Sequence, residues 1–253
     1  MNIIITMAGQ GSRFKKAGYE IPKYMVEVNG KNLFQWSMIS LSDFNKQDNV
    51  KYIFITRKEN NSRQFILDEM KKNNISNVHI VEIDKSTDGQ ATSALLAKKY
   101  WSEEEEMIIY NIDTYVEEDT IKYSDIQGEG FIPCFNAKGD HWSFVKLDKN
   151  GKATEVREKQ RISDNGTIGL YYFKSCKLYE FLYNDYYKDD ANLEKSEKYI
   201  APLYNYMIKL GMNVRISDLP SEKVHVLGTP EEVEEFSKSK LLLTTQKHID
   251  NII

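Results

Sequence analysis

The chain has few cysteines and no long apolar run, and each of these shortages excludes a class of protein. It contains two cysteines among 253 residues. The two cysteines, Cys134 and Cys176, cannot build the disulfide framework of a small secreted protein, so we expect a reducing, cytoplasmic location. No apolar run approaches the roughly 18 residues of a membrane span. The first residues lack the basic region and cleavage site of a signal peptide.

A surplus of positive charge is also absent. Lys plus Arg total 34 against 38 for Asp plus Glu, which gives a formal net charge of −4. Affinity for duplex nucleic acid comes mostly from Lys and Arg that neutralise phosphates, so this composition disfavours a nucleic-acid partner. With 41% hydrophobic and 28% charged residues, the composition is typical of a folded enzyme and not of a disordered chain.

The first half of the chain alternates between apolar strand patterns and helical patterns. Strands are predicted at Asn2–Thr6, Val50–Thr56, Val78–Ile83 and Met107–Asn111, and helices at Leu33–Phe44, Ser62–Asn73 and Gln90–Trp101. This alternation indicates βαβ units and a mostly parallel sheet. Right-handed crossovers then bring the loops after the strands to one edge of the sheet, where α/β proteins bind ligands.

Beyond about residue 125 the pattern changes to closely spaced strands. Strands are predicted there at Gly130–Phe135, Ser143–Leu147, Ala153–Arg157, Thr167–Phe173 and Met212–Leu219. Helices are predicted at Lys177–Tyr187, at Glu194–Leu210 and after Thr229. One further short strand, Tyr24–Val28, is predicted in the first half of the chain. The pair Asn150-Gly151 predicts a type I′ hairpin turn, because both residues accept a positive φ. Thr229 is predicted to cap the last helix, with Pro230 at its first position.

A glycine-rich segment, MAGQGSRF, directly follows the first predicted strand. Gly9 and Gly11 allow a sharp turn that presents backbone N–H groups to an anion, and Arg13 adds a planar donor fork suited to phosphate oxygens. Lys23 follows Pro22, which fixes φ and restricts the lysine. The segment matches neither the dinucleotide fingerprint nor the Walker A loop. Taken alone, an ordinary tight turn and a solvent-exposed lysine remain the alternatives.

The order of the motifs resembles the nucleotidylyltransferase family, whose members activate sugars, choline and related compounds as nucleotide derivatives. Residues 7–13 and 22–23 match its A-A-G-x-G-x-R and P-K motifs, although Met7 replaces one alanine and Asn32 stands where proline is usual. Later matches are DGQATS at 88–93, NID at 111–113, EK at 158–159, NGTIGLY at 165–171 and LGTPEE at 227–232. Each motif is common, but their shared order over about residues 1–240 is specific.

The resemblance implies a glycosyltransferase-A-like fold, in which a Rossmann-like, mixed and mostly parallel sheet with flanking helices carries a small antiparallel acceptor-side subdomain. We therefore predict a single domain over 1–253, with about 1–125 binding nucleotide, about 126–230 binding acceptor, and 230–253 forming a C-terminal helical segment. The implied reaction is NTP + R-phosphate → NDP-R + pyrophosphate, with Mg²⁺ as cofactor.

The resemblance also implies a role for individual residues. Arg13 and Lys23 are the implied catalytic residues, with Arg13 on the leaving phosphates and Lys23 bridging toward the α-phosphate. The implied nucleotide-binding residues are Met7, Ala8, Gly9, Gly11, Gly89, Gln90 and Ala91, and the acceptor-binding residues are Lys159, Asn165 and Gly169. Asp113 is the implied metal ligand, with His225 as a further candidate.

The chain resembles the small capsule-pathway cytidylyltransferases in its length, in the absence of β-helix repeats, and in the sequence segments GQATS and VLGTP. This implies CTP as nucleotide and a small phosphorylated acceptor, such as L-glutamine phosphate, in the synthesis of a surface-polysaccharide precursor. The alternatives are a sugar-1-phosphate nucleotidylyltransferase using UTP or dTTP, a glycosyltransferase of the same architecture, and a non-catalytic nucleotide sensor. A glycosyltransferase would usually carry D-x-D, whereas Tyr115 stands two residues after Asp113.

The sequence departs from the family at one metal position. Many relatives carry a second magnesium carboxylate two residues before the glycine of G-T-P, and this chain has Val226 there. Strand alternation points the neighbouring His225 to the opposite face, and Mg²⁺ prefers oxygen to imidazole nitrogen. We therefore expect Asp113 to be the main protein ligand, with nucleotide phosphates and water completing the coordination.

Overall fold

The computed structural model describes residues 1–194 and 196–239. Its strands are β1 (Asn2–Thr6), β2 (Glu27–Val28), β3 (Lys31–Asn32), β4 (Lys51–Arg57), β5 (Val78–Ile83), β6 (Met107–Asn111), β7 (Thr114–Val116), β8 (Gly130–Asn136), β9 (Ser143–Leu147), β10 (Ala153–Glu158), β11 (Asn165–Thr167), β12 (Leu170–Phe173), β13 (Val214–Leu219) and β14 (Val224–Val226). Its helices are α1 (Ser12–Lys16), α2 (Leu33–Ile39), α3 (Arg63–Lys72), α4 (Gln90–Leu95), α5 (Cys176–Tyr186), α6 (Ala201–Lys209) and a last helix over 230–239.

Ten strands form one mixed sheet. Nine of them follow the order β10-β9-β11-β8-β12-β6-β1-β4-β5, and the tenth, β13, also pairs with β8. The strands β5, β4, β1 and β6 are parallel, as predicted. The strands of the second half pair in antiparallel fashion, except β13 with β8. The predicted α/β fold is confirmed, and two small antiparallel sheets, β2–β3 and β7–β14, accompany the main sheet.

Both faces of the sheet are buried under helices. Along β1, Ile3 and Ile5 pack in one hydrophobic cluster, while Ile4 packs in a second cluster on the opposite face, and all three are fully buried. Helices α2 and α3 contribute to the first cluster, and α4, α5 and α6 to the second. A strand covered on both sides explains why the apolar run of β1 is continuous and does not alternate with polar residues.

A third hydrophobic cluster brings the end of the described chain back to the start. Phe14 of α1 and Phe236 of the last helix pack there with Trp36, Tyr115 and Leu227. The ring centroids of Trp36 and Phe236 lie 5.2 Å apart in an edge-on arrangement. This packing holds the segment after β14 beside the glycine-rich loop that follows β1.

Several predicted element boundaries are wrong. Helix α2 ends at Ile39 instead of continuing to Phe44, and α4 gives way to a short 3-10 turn, Leu96–Lys99. The helix expected at Glu194–Leu210 begins only at Ala201, because Pro202 occupies its first turn, where the missing N–H is tolerated. The strand expected at Tyr24–Val28 is a 3-10 turn, Lys23–Met25, followed by β2.

The hairpin between β9 and β10 also differs from the prediction. Gly151 has φ 73°, but Asn150 is not among the residues with positive φ, so the turn is not type I′. Instead, Asp148 Oδ1 accepts hydrogen bonds from the backbone N–H groups of Asn150 and Lys152 at 2.8 and 3.0 Å. The aspartate side chain therefore closes this turn.

The predicted cap of the last helix is confirmed, since Thr229 Oγ1 accepts a hydrogen bond from the N–H of Glu232 at 3.2 Å. Residues 240–253 of the predicted C-terminal helical segment lie outside the described residues. Within the two described ranges, no helix has both the length and the apolar character needed to cross a membrane. The predicted division into nucleotide and acceptor parts stays a prediction.

The strand expected at Thr167–Phe173 is broken at Gly169, whose φ is +78°. A Cβ at this position would lie 2.6 Å from Asn111 Nδ2, so glycine is required both by conformation and by the close approach of β6. The break lets β12 pair with β6 while β11 pairs with β9.

We expect Gly169→Ala to lower the free energy of unfolding by about 2 kcal/mol or more, through left-handed strain and the contact with Asn111. Gly211→Ala is the matched control, because Gly211 has φ +81° and an added Cβ there meets no atom within 4 Å. Urea denaturation of both variants measures the difference. Equal losses would show that the approach of Asn111 contributes nothing to the requirement for glycine.

Candidate active site

A cavity of about 1100 Å³ opens at the carboxyl ends of the parallel strands, as the topology predicts. We call it the first cavity. Its walls come from residues 6–12, 20–25, 59–61 and 111–113 together with Lys15, Ser86, Thr87, Gly89, Gln90, Ser93 and Glu197. Two of its members, Gly9 and Gly11, would each meet no atom within 4 Å if a Cβ were added. The glycine-rich loop therefore faces open space, where its backbone can approach a ligand closely.

An ion pair between Lys23 and Asp113 joins two of the predicted site residues. Lys23 Nζ lies 2.8 Å from Asp113 Oδ2, and the two side chains are 21% and 32% exposed. Asp113 follows β6, and Lys23 is held in the 3-10 turn that begins after Pro22. Both residues line the first cavity, so the fold brings together two charges that are 90 residues apart in sequence.

The basic residues of α1 divide between two cavities. Arg13, expected beside the same phosphates as Lys23, lines a second cavity of about 340 Å³. Lys15 lines the first cavity instead, with its Nζ 4.0 Å from Glu59 Oε1. Sequence reasoning missed Lys15, because the family motif ends at the arginine and α1 is too short to show a periodic pattern.

The loop before α4 is clamped by the segment that precedes α6. A Cβ at Gly89 would lie 2.3 Å from the carbonyl oxygen of Lys198. The backbone of Lys198 accepts a hydrogen bond from Ala91 N–H and donates one to the Asp88 carbonyl, and its ammonium lies 2.7 Å from Asp88 Oδ2. Ala91 is thereby buried and lines neither cavity, whereas Gly89 lines the first.

Gln90 stands at the junction of the two cavities and lines both. Its Nε2 donates hydrogen bonds to Thr6 Oγ1 at 2.9 Å and to Asn111 Oδ1. With both amide protons used, the side-chain oxygen of Gln90 is left as an acceptor for a ligand. Met7 and Ala8, at the end of β1, complete this part of the first cavity.

The second cavity contains a fixed cation, Lys159. Its Nζ donates a hydrogen bond to the Tyr199 hydroxyl at 3.2 Å, lies 4.7 Å from the centre of that ring, and is 3.4 Å from Glu158. Partial burial acts to lower the pKa of Lys159, but the bond to Tyr199 and the charge of Glu158 raise the pKa overall, so the ammonium persists at neutral pH. Lys159 also has φ +50°, an uncommon conformation for a non-glycine residue that often marks a functional site.

The structure separates three other predicted residues. Gly169 lines the second cavity, but Asn165 does not, because its side chain donates a hydrogen bond to the Val145 carbonyl at 2.9 Å. His225 lines neither cavity and stacks on Tyr115, with ring centroids 5.2 Å apart. Its neighbour Val226 faces the second cavity, as strand alternation predicted.

Two further members of the second cavity, Glu197 and Tyr199, come from the segment that sequence reasoning assigned to a helix. Glu197 also lines the first cavity. The cysteines are not candidates for nucleophiles, since both are buried, and burial raises the pKa of Cys176 to about 12.

Comparison with known proteins identifies the class. Residues 2–214 match the family described as "Nucleotidyl transferase". The chain belongs to this family and is a nucleotidyltransferase. A search of the curated proteins finds no significant match.

Solved structures agree with this membership. The nucleoside-diphosphate-sugar pyrophosphorylase from Vibrio cholerae RC9 is 32% identical, with a TM-score of 0.85 over 94% of this chain and 100% of that one. The inositol-1-phosphate CTP transferase from T. maritima is 15% identical, with a TM-score of 0.72 over 91% and 90%. HddC from Yersinia pseudotuberculosis is 21% identical, with a TM-score of 0.65 over 94% and 98%. The last two similarities show the fold.

We expect Lys23→Ala to lower kcat/KM for pyrophosphate release by about two to four orders of magnitude, because a positioned charge would be lost where phosphate charge changes. Lys16→Ala is the control, since Lys16 is exposed on α1 and lines neither cavity. A loss below about threefold in a folded Lys23→Ala protein would make Lys23 a surface lysine without a catalytic role.

Proposed function

We propose that the protein is a cytidylyltransferase that couples CTP to a small phosphorylated acceptor and releases pyrophosphate. The observation that carries this proposal is the pair of adjacent cavities, of about 1100 and 340 Å³, which share Asp113, Gln90, Asn111 and Glu197 in their walls. A nucleoside triphosphate fits the larger cavity and a small acceptor the smaller. Their reacting atoms then meet beside the Lys23–Asp113 pair.

The chemistry requires positioning and charge neutralisation. An acceptor phosphate oxygen attacks the α-phosphorus in line and forms a new P–O bond. The bond from the α-phosphorus to the bridging oxygen of the β-phosphate breaks, and its electron pair leaves with pyrophosphate. No general base is needed, because the acceptor oxygen is already anionic near neutral pH.

The cations of the site suit these steps. Lys23 would neutralise charge at the α-phosphate, and Lys159 would hold the acceptor phosphate. Because Lys15 lines the first cavity and Arg13 the second, we assign the leaving phosphates to Lys15 and the loop amides, and the region between the α-phosphate and the acceptor to Arg13.

Asp113 fits the role of a magnesium ligand. Its carboxylate is partly exposed and already binds the Lys23 ammonium, and Mg²⁺ prefers such oxygen ligands. Within residues 1–194 and 196–239, no three His, Cys, Asp or Glu side chains form a group that could hold a metal ion. Nucleotide phosphates and water would therefore complete the coordination. When bound, Mg²⁺ supplies neutralisation of the triphosphate charge.

The choice of CTP and of the acceptor rests on the motifs similar to the capsule-pathway cytidylyltransferases. On this basis we propose L-glutamine phosphate as the acceptor, as for the CTP:phosphoglutamine cytidylyltransferase of capsular phosphoramidate synthesis. The second candidate is a sugar-1-phosphate acceptor with UTP or dTTP, which the 32% identity to the Vibrio cholerae pyrophosphorylase favours. Pyrophosphate release, measured with four NTPs against a panel of phosphorylated acceptors, distinguishes the two.

We expect CTP to be preferred over UTP by about 1–3 kcal/mol in transition-state free energy, because the buried polar groups of a cytosine site would be left unpaired by uracil. The proposed reader of the base is the backbone of Thr87, Gly89 and Gln90 and of Met7–Gly9, all of which line the first cavity. Competition between the two nucleotides, followed by kcat/KM for each, measures the preference. Equal use of both, or a preference for a purine, would contradict the assignment.

We expect Asp113→Asn to lower turnover by at least about 100-fold and to raise the Mg²⁺ concentration needed for half-maximal rate. His225→Ala should cost much less, because the histidine packs on Tyr115 outside both cavities. Magnesium titrations of the rate compare the two variants. Equal damage in folded proteins would place His225 in the metal site.

A further inference from the structure

Glu232, in the first turn of the last helix, brings a second carboxylate toward Asp113. A Cβ built on Gly228 would lie 3.4 Å from Glu232 Oε2 and 3.6 Å from Asp113 Oδ2, so the two oxygens are at most about 7 Å apart. Both residues line the second cavity. The backbone N–H of Leu227 donates to the Asp113 carbonyl at 2.8 Å, which ties the two segments together.

Only one of the two carboxylate oxygens of Glu232 accepts a hydrogen bond within the described residues. Oε2 accepts a hydrogen bond from Gly228 N–H at 2.9 Å. In the two described ranges, the other oxygen has no hydrogen bond and Glu232 has no ion pair with a lysine or arginine. A half-buried carboxylate close to a second carboxylate is repelled by it unless a cation lies between them. Lys23 compensates Asp113 but not Glu232.

β14 directs Val226 into the same cavity. This apolar side chain can neither neutralise the negative charge of Glu232 nor bind a cation. Val226 lines the second cavity, whereas His225 turns away from it. Glu232, six residues further along, is therefore the side chain by which the returning C-terminal segment presents a carboxylate to the site.

We propose that Glu232 is the second carboxylate of the magnesium site, acting with Asp113 through the water shell of the ion bound to the nucleotide. The inference rests on the proposed function, in which Asp113 binds Mg²⁺. Mg²⁺ prefers oxygen ligands and keeps several waters, so a carboxylate that accepts from a bound water suits it. Glu232 is then a positioning residue: it orients the ion and does not contact the reacting atoms.

A purely structural role is the competing explanation, because the sequence Thr229-x-x-Glu232 has the form of a helix capping box. In a capping box the glutamate accepts from the N–H of the cap residue itself. Here it accepts from the residue before the cap, Gly228. Glu232→Gln can keep that hydrogen bond while it removes the charge, so it separates the two roles.

The test measures Mn²⁺ affinity by electron paramagnetic resonance, with the full-length protein and a CTP analogue that cannot release pyrophosphate. We expect Glu232→Gln to weaken Mn²⁺ binding about 10-fold, in the range found for groups that support a metal through its ligands. Glu231→Gln is the matched control, because Glu231 is exposed and lines neither cavity. It should bind Mn²⁺ as the unchanged protein does, and thermal melting should be similar for all three proteins.

A second variant tests the charge directly. Val226→Asp in the Glu232→Gln background returns a carboxylate to the same cavity, and it should restore most of the lost Mn²⁺ affinity. Glu232→Gln binding Mn²⁺ as tightly as Glu231→Gln would overturn the proposal. So would a loss that Val226→Asp does not restore and that accompanies a lowered melting temperature. An unchanged protein that binds Mn²⁺ and nucleotide through Glu232, but releases no pyrophosphate with any NTP, would reject the proposed function alone.

Discussion

The geometry of the site depends on the in-register parallel pairing of β1 with its two neighbours. Thr6, the last residue of β1, is paired with Ile55 of β4 on one side and with Asn111 of β6 on the other. β1 and β6 end at the same level and β4 continues only to Arg57, two residues further. The glycine-rich loop, the loop after β4 and the loop that carries Asp113 therefore open at the same edge of the sheet. A slip of one residue in either pairing would turn Ile3, Ile4 and Ile5 to the wrong faces, so burial of those side chains fixes the alignment.

A transferase site must also hold two substrates at once. The break at Gly169 changes the strand pairing beside the second cavity, because β12 pairs with β6 after the break and β11 pairs with β9 before it. Lys159, which directly follows β10, lines the same cavity as Gly169 and lies beside Tyr199 and Glu158 with φ +50°. The third hydrophobic cluster then returns the C-terminal segment to the same place, with Phe14 packed near Phe236. The site is thus assembled from four distant parts of the chain.

Much of this could be predicted where the sequence carries a local signal. The bounds of β1, β5, β6 and β9 match the predicted strands residue for residue. For β1 and β6 the signal is a nearly continuous apolar run, which is typical of a buried strand. The motifs singled out Lys23 and Asp113 as separate site residues, but the ion pair between them was not predicted. Features that depend on tertiary contacts were missed. The pattern from Glu194 predicts one long helix, but α6 begins only at Ala201, with Pro202 in its first turn. Lys15 and Glu232 lie next to or within recognised motifs, but the cavity that each one lines depends on tertiary packing, which the motif pattern does not show.

Three consecutive residues, Glu197, Lys198 and Tyr199, connect the two halves of the site. Lys198 holds the backbone of the loop around Gly89, Tyr199 holds the ammonium of Lys159, and Glu197 faces both cavities. In the proposed function, the loop around Gly89 lies beside the base and Lys159 beside the acceptor. A substitution that reshapes residues 197–199 would then alter both proposed binding regions. Nucleotide preference and acceptor preference are therefore expected to change together.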